Sequence, residues 1–254
     1  MTKTEKKKTI YIDCGSGISG DMTLGALIHL GADVERIKTE LRKLAIGSFD
    51  LLATPAVKNG IGGVDLQVIL PEAQPSEGHG NHTHFSQIRE MIQGSELTDY
   101  VKDTALRIFT KIAEAEGVIH GMKTEDVVFH EVGAMDSILD IVGTAVALDL
   151  LGVEKVFVSR IHDGHGQIEC RHGRIPVPVP AVLEMARNSN LTIVVDEEVS
   201  TEMVTPTGFG ILLGLGAEYR AELDIVPEKI GYGFGKRETG RFPAVRVIMG
   251  AIGI

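Results

Sequence analysis

Apolar and polar positions along the chain change period several times. Thr9-Ile-Tyr-Ile-Asp13 alternates and runs into Cys-Gly-Ser-Gly, which predicts a short strand ending in a tight turn. An apolar pattern over residues 24–30 follows Ser19-Gly-Asp-Met22, so a helix is expected to open with Ser19 or Asp21 near its N-cap and to stop at Gly31. Helical spacing returns over 33–44. Residues 49–57 and 64–70 read as paired strands, joined by the turn-rich Lys58-Asn-Gly-Ile-Gly-Gly63. The stretch 71–84, PEAQPSEGHGNHTH, has no period and is the expected mobile loop. Helical stripes cover 85–92 and 100–117, a strand 127–130, and a long apolar helix 134–151, interrupted by Asp136, Asp140 and Asp149.

A strand at 156–159 precedes a polar, Gly- and His-rich stretch, 160–174. Prolines at 176, 178 and 180 stiffen the backbone ahead of a helix near 181–187, and Thr205-Pro-Thr-Gly208 precedes another at 209–215. The chain closes with a strand at 225–230, a Gly-Tyr-Gly-Phe-Gly turn and a strand at 244–249. Strands and helices alternate without a strict βαβ rhythm. The expected class is α/β or α+β: a mixed sheet packed with helices, with Gly-rich strand-to-helix turns.

Composition narrows the function classes. Of 254 residues, 43% are apolar and 24% charged, which excludes wholesale disorder. No apolar run reaches the roughly 18 residues of a membrane span, and the first residues lack an apolar leader core. Two cysteines cannot build a disulfide framework, so a cytoplasmic setting with no membrane partner is expected. The net charge is −10, yet residues 1–8 hold four lysines and one glutamate. We therefore expect a basic flexible tail at 1–8 and one acidic domain over 9–254. Such a body repels phosphate backbones, arguing against nucleic-acid binding, and suits cations.

Three constellations carry candidate chemistry. The turn containing Ser16, Gly17, Ser19, Gly20 and Asp21 offers free backbone N–H groups at a helix start, a setting for a phosphate. A tight turn with Asp21 capping its helix explains the same residues. His79, His82 and His84 within six positions can converge on nickel, zinc or copper, or be chance histidines of a polar loop. His130 and Glu131 end a strand, and Asp136 and Asp140 lie one helical turn apart on one face. Carboxylates on an apolar helix require a cation or an Arg partner, so this group reads as a divalent-metal site or its supporting shell. A dipole-favoured Asp136 and a salt-bridged Asp140 are the plainer account.

Thr205 and Thr207 can hold an anion or simply cap a helix. His120 suits a helix C-terminus, while His162, His165 and His172, in a Gly-rich stretch with Cys170, can together serve a metal or substrate but read singly as satisfied loop histidines. His29 is expected to be partly buried, and neither Cys14 nor Cys170 has a partner that would make it a nucleophile.

YIDCGSGISGDMTLGAL, AEAEGVIHG, VFHEVGAMDSILDIVG, HGRIPVPVPA, TPTG and GYGFG occur in that order between about residues 9 and 250. Together they resemble the nickel insertion proteins of nickel-pincer nucleotide synthesis, the LarC family. The resemblance implies insertion of nickel into pyridinium-3,5-bisthiocarboxylic acid mononucleotide, giving the carbon–nickel cofactor of lactate racemase. It also implies dependence on CTP with manganese or magnesium. The family's CTP-binding domain is C-terminal, so this chain is expected to be the nickel-handling portion with that domain absent, needing a separate CTP-binding partner. A homo-oligomer is also expected.

On this reading His82 and His84 collect nickel, and His130, Glu131, Asp136 and Asp140 form or support the transfer site. His130 and Asp136 are then metal ligands, while the 16–21 turn, with Thr205 and Thr207, receives the substrate phosphate. Two other functions fit the residues: a divalent-metal phosphohydrolase using Asp13, Asp21, His130 and Asp136, and a non-enzymatic nickel store or delivery module.

Overall fold

Strand β1 (Thr9–Asp13) buries Ile10 and Ile12 while Tyr11 stays half-exposed, the alternation a one-faced sheet requires. It sits inside a seven-stranded mixed sheet in a computed structural model that describes residues 8–70, 83–129, 135–170 and 173–252. The first half of the chain continues with α1 (Gly20–Leu30), α2 (Val34–Leu41), β2 (Asp50–Lys58), β3 (Ile61–Ile69), β4 (Thr83–His84), α3 (Phe85–Gly94), α4 (Asp99–His120), β5 (Val128–Phe129) and α5 (Met135–Leu151). The second half holds β6 (Lys155–Val158), β7 (Ile161–Asp163), β8 (Gln167–Cys170), β9 (Gly173–Pro176), α6 (Pro180–Arg187), β10 (Ile193–Val195), α7 (Pro206–Gly214), β11 (Glu218–Tyr219), β12 (Ile225–Phe234) and β13 (Ala244–Ile252).

The sheet order is β11-β6-β1-β13-β12-β3-β2. β1 runs parallel to β6 and antiparallel to β13, so the mixed α/β expectation holds. Helices cover one face: α1 packs on β12, β3 and β13, and α5 lies against α1, α2 and α4. Helix α5 is apolar all round because it is enclosed, with Leu139, Ile141, Val142 and Ala145 fully buried. The opposite sheet face is partly open, and there Arg246 pairs with Asp13.

Three segments depart from the sequence reading. Gly-Tyr-Gly-Phe-Gly is no turn: its first four residues finish β12. A Cβ on Gly231 or Gly233 would overlap the carbonyl oxygens of Ala26 and Met22, so these glycines let α1 lie directly on the strand. The six-residue connector between the paired strands is only Asn59-Gly60, both with positive φ, because Lys58 already pairs with Ile61. The polar stretch 160–174 contains β7 and most of the β8–β9 hairpin. Its strands are short and mostly polar-faced, so no alternating apolar signal marks them.

Replacing Gly233 by Ala drives a methyl into the backbone of α1. We expect it to lose about 3 kcal/mol or more of stability in urea unfolding, the upper range for overpacking. The same change at Gly216, which has open space but positive φ (63°), is expected to cost less.

Candidate functional site: a cleft at three helix N-termini

The Gly-rich turn after β1 is pinned to the segment before α7. Gly17 N–H donates to Cys14 O at 3.1 Å, Ile18 N–H donates to Met203 O at 3.0 Å, and Thr205 N–H donates to Ile18 O at 3.0 Å. Gly17 has positive φ (80°), and a Cβ there would overlap Met203. Beneath this pairing lies Asp163, fully buried at the end of β7. Its Oδ1 accepts from the N–H groups of Gly164, Met203 and Val204 at 2.8, 2.7 and 3.1 Å. Burial pushes the Asp163 carboxyl up, and those three donors only partly pull it back.

The result is a convergence of helix starts. Ser19 caps α1, accepting from Met22 N–H at 3.4 Å while its hydroxyl donates to Asp21. Thr205 caps α7, its Oγ1 accepting from Gly208 N–H at 3.1 Å. Helix α5 brings Asp136 in its first turn and Asp140 one turn later. Ser19, Gly20, Thr205 and Thr207 share one cleft of about 360 Å³ with Asp21, Asp136, Asp140, Glu202, Lys236 and Arg237.

Charge in this cleft is paired but not quenched. Lys236 Nζ stands 3.1 Å from Asp21 Oδ2, and Arg237 pairs with Glu202 while also donating to its carbonyl at 3.0 Å. Burial disfavours charge on Lys236, but Asp21, Asp140 and Asp65 outweigh it and hold its ammonium above the usual range. Asp140 is only 9% exposed, and its Oδ1 has no hydrogen-bond partner among the described residues. Burial pushes its carboxyl well above the ordinary range. Asp21 and Asp136 add to the rise, and Lys236 opposes it. Gly20 permits this packing, since a Cβ there would stand 2.7 Å from Asp140 Oδ2 and 2.9 Å from Thr207 Cγ2.

Seven of the expected site residues therefore line one cleft: Ser19, Gly20, Asp21, Asp136, Asp140, Thr205 and Thr207. Ser16 lines an adjoining hollow of about 210 Å³ that shares Asp21 and Lys236. Gly17 does not line the cleft; it shapes the turn behind it. His84 precedes α3 and pairs in register with Val128, away from the cleft lining. His82, His130 and Glu131 lie outside the described residues, as does His172. Among the described residues, no three His, Cys, Asp or Glu side chains converge closely enough to hold a metal ion by themselves.

The plainer alternatives fare unevenly. Ser19, not Asp21, is the N-cap of α1. Asp140 is not in a direct salt bridge among the described residues; Lys236 acts on it through space. His165 Nδ1 lies 3.1 Å from Val199 O, a satisfied loop histidine as expected. His29, expected to be partly buried, is exposed and accepts from Tyr232 N–H. Cys14 is fully buried, and burial, then Asp13, pushes its thiol well up, so it is inert. Asp13, assigned to a hydrolase site, pairs instead with Arg246 and does not line the cleft.

Sequence reasoning missed Lys236, Arg237, Glu202 and Asp163. The first two follow Gly-Tyr-Gly-Phe-Gly directly, and reading that block as a strand would have delivered them to the end of the sheet. Asp163 carries no sequence signal, because its importance lies in backbone donors, two of the three brought from 40 and 41 residues away.

The chain matches the model of a family described as nickel insertion protein over residues 10–253. It is 48% identical over 246 residues to a pyridinium-3,5-bisthiocarboxylic acid mononucleotide nickel insertion protein of Acetivibrio thermocellus, covering 96% of this chain and 60% of the relative. Proteins of the same name from Lactiplantibacillus plantarum and Geobacillus kaustophilus are 42% and 43% identical, covering 95% and 96% of this chain and 61% and 60% of theirs. The chain thus spans about 60% of the length of these relatives. No solved structure matches.

Asp140 also sets a stability test. Its folded pKa lies above the unfolded value of about 3.9, so the folded state binds more protons between the two, and stability falls as pH rises through that window. Without added metal, Asp140→Asn is expected to raise the thermal midpoint at pH 7. The gain should shrink as pH falls toward about 4, where the native carboxyl is already protonated. A midpoint lowered at pH 7, or a gain equal at both pH values, contradicts this account.

Proposed function

This chain belongs to the nickel insertion protein family, and on that premise we propose that it receives a nickel ion and presents it to pyridinium-3,5-bisthiocarboxylic acid mononucleotide, the compound in its relatives' names. The observation that carries this reading is the two-sided cleft. One wall is the orphaned, buried carboxylate of Asp140 with Asp21 and Asp136; the other is formed by helix N-termini, with Lys236 and Arg237 at the rim. A cation suits the first wall and a nucleotide phosphate the second.

In this proposal Asp136 and Asp140 hold nickel, with His130 and Glu131 supplied from the segment ahead of α5, and His82 and His84 collecting the ion. Ser16, Ser19, Gly20, Thr205 and Thr207 receive the phosphate, and Gly17 and Asp21 shape and charge the turn. That the described carboxylates do not close around an ion by themselves fits a transfer site. Oxygen and imidazole donors hold nickel less tenaciously than thiolates, so sulfur donors on the acceptor can take the ion over. The reading includes a separate CTP-binding part with manganese or magnesium, a cytoplasmic setting and a homo-oligomer; the first rests on family resemblance, the others on composition and general expectation. A hydrolase reading is weakened by the Asp13–Arg246 pair.

Nickel titration by calorimetry tests the site. Asp136→Ala and His130→Ala are each expected to weaken nickel binding about tenfold or more, and Thr205→Ala to weaken mononucleotide binding while leaving nickel affinity unchanged. Wild-type affinity should rise between about pH 5 and 8, because ligating imidazole must be neutral. Unchanged nickel affinity in both the Asp136 and His130 variants sinks the assignment. Tight nickel binding with no metallated product, even with a CTP-binding part supplied, turns the reading into a delivery module.

A further inference from the structure

Lys236 follows the end of β12 by two residues and reaches back over the first turn of α1. Its only ion-pair partner among the described residues is Asp21, at 3.1 Å, and its side chain is 56% exposed. It therefore sits at the mouth of the cleft on a flexible four-carbon stem, able to swing toward solvent without disturbing packing. Behind it lies Asp140, nine-tenths buried, its Oδ1 unpartnered among the described residues and its carboxylate facing the same cleft. Arg237, the next residue, is held differently: Glu202 takes it through both side chain and backbone carbonyl, so it is not free to exchange.

We propose that the Lys236 ammonium is an exchangeable placeholder: it neutralises Asp21 and the mouth of the Asp140 wall while the cleft is empty, yields that place to an incoming divalent cation, and turns to the anionic group of the mononucleotide. This rests on the reading that the Asp140 wall takes the cation. It adds a positioning residue that couples the two ligands. The physical reason is charge balance. A divalent ion beside Asp21 and Asp140 repels the ammonium, and an anion at the neighbouring helix N-termini attracts it. Each ligand thus favours the Lys236 placement that the other needs, and linkage makes the effect reciprocal.

The test uses the purified full chain, with nickel chloride as the cation and nicotinic acid mononucleotide as a pyridinium mononucleotide probe. Nickel affinity is measured by calorimetry with and without the probe for wild type, Lys236→Met, Lys236→Gln and Asp140→Asn, after thermal melts show that each variant folds. In wild type the probe is expected to tighten nickel binding. Both Lys236 variants should bind nickel about fivefold more tightly than wild type in the absence of probe, the scale of one partly exposed ion pair removed. They should bind the probe more weakly and lose the coupling. Nickel affinity not above wild type in the folded Lys236 variants, or coupling that survives in them, overturns the proposal. If Asp140→Asn leaves nickel binding unchanged, the cation-wall reading itself fails; if it weakens nickel while the Lys236 variants behave as wild type, only the placeholder role fails.

Discussion

How closely α1 approaches β12 decides where everything else in the site can stand. Gly231 and Gly233 leave no side chain between strand and helix, and Gly25 on α1 faces Gly233 from the other side, its own Cβ position 3.5 Å from the Gly233 Cα. Backbone against backbone fixes the height of the helix over the sheet more rigidly than interleaved side chains would. Once that height is set, the start of α1 and the end of β12 meet at the same edge. Ser19, Gly20 and Asp21 arrive from the helix, and Lys236 and Arg237 from the strand. The Asp21–Lys236 pair is thus a consequence of glycine packing about one helix turn away.

A second tie holds the remaining wall. Asp163 gathers three N–H donors, two of them from residues 203 and 204, and residues 203 and 205 in turn bond to Ile18. Burying a carboxyl is costly, and here three donors to one oxygen offset part of that cost. What they secure is the relative placement of the α1 and α7 starts. Gly208 completes it, since any side chain there would overlap the carbonyl of Ile18. The cleft is accordingly built from two backbone-level contacts, with the functional side chains projecting from elements whose positions they do not themselves determine.

This division explains what the sequence disclosed. Periodicity was enough to place α1, α4 and α5 within a few residues, because each has a long stripe or an enclosed apolar surface. The Asp136–Asp140 spacing correctly put two carboxylates on one face, and the Ser19 and Thr205 capping signals marked two of the three helix starts that meet. The β12 continuation was hidden because glycine at alternate positions reads locally as a turn, and only the helix lying above it makes those glycines a strand. Strands β7 to β9 were hidden because they are short and pair with each other or with β10, outside the main sheet. Lys236 and Asp163 depend on partners far away in sequence, which no local pattern encodes.

The cleft shares the acidity of the chain, with Asp21, Asp136, Asp140 and Glu202 set against two cations that are both already paired. Lys236 is set against Asp21, Arg237 against Glu202, and farther along the same loop Arg241 against Asp196 and Glu198. A site in this condition offers little net attraction to a lone phosphate, and the cations it has are already engaged. A lone divalent ion is drawn to the carboxylates but meets an ammonium at the mouth of their wall. Asp140 is the buried carboxylate of the cleft whose Oδ1 has no hydrogen-bond partner among the described residues, and that leaves a local deficit of positive charge deep inside. The ligand combination that satisfies both conditions is a cation for the interior entering together with an anion for the helix N-termini. The metal ion and anionic organic acceptor proposed above are such a combination.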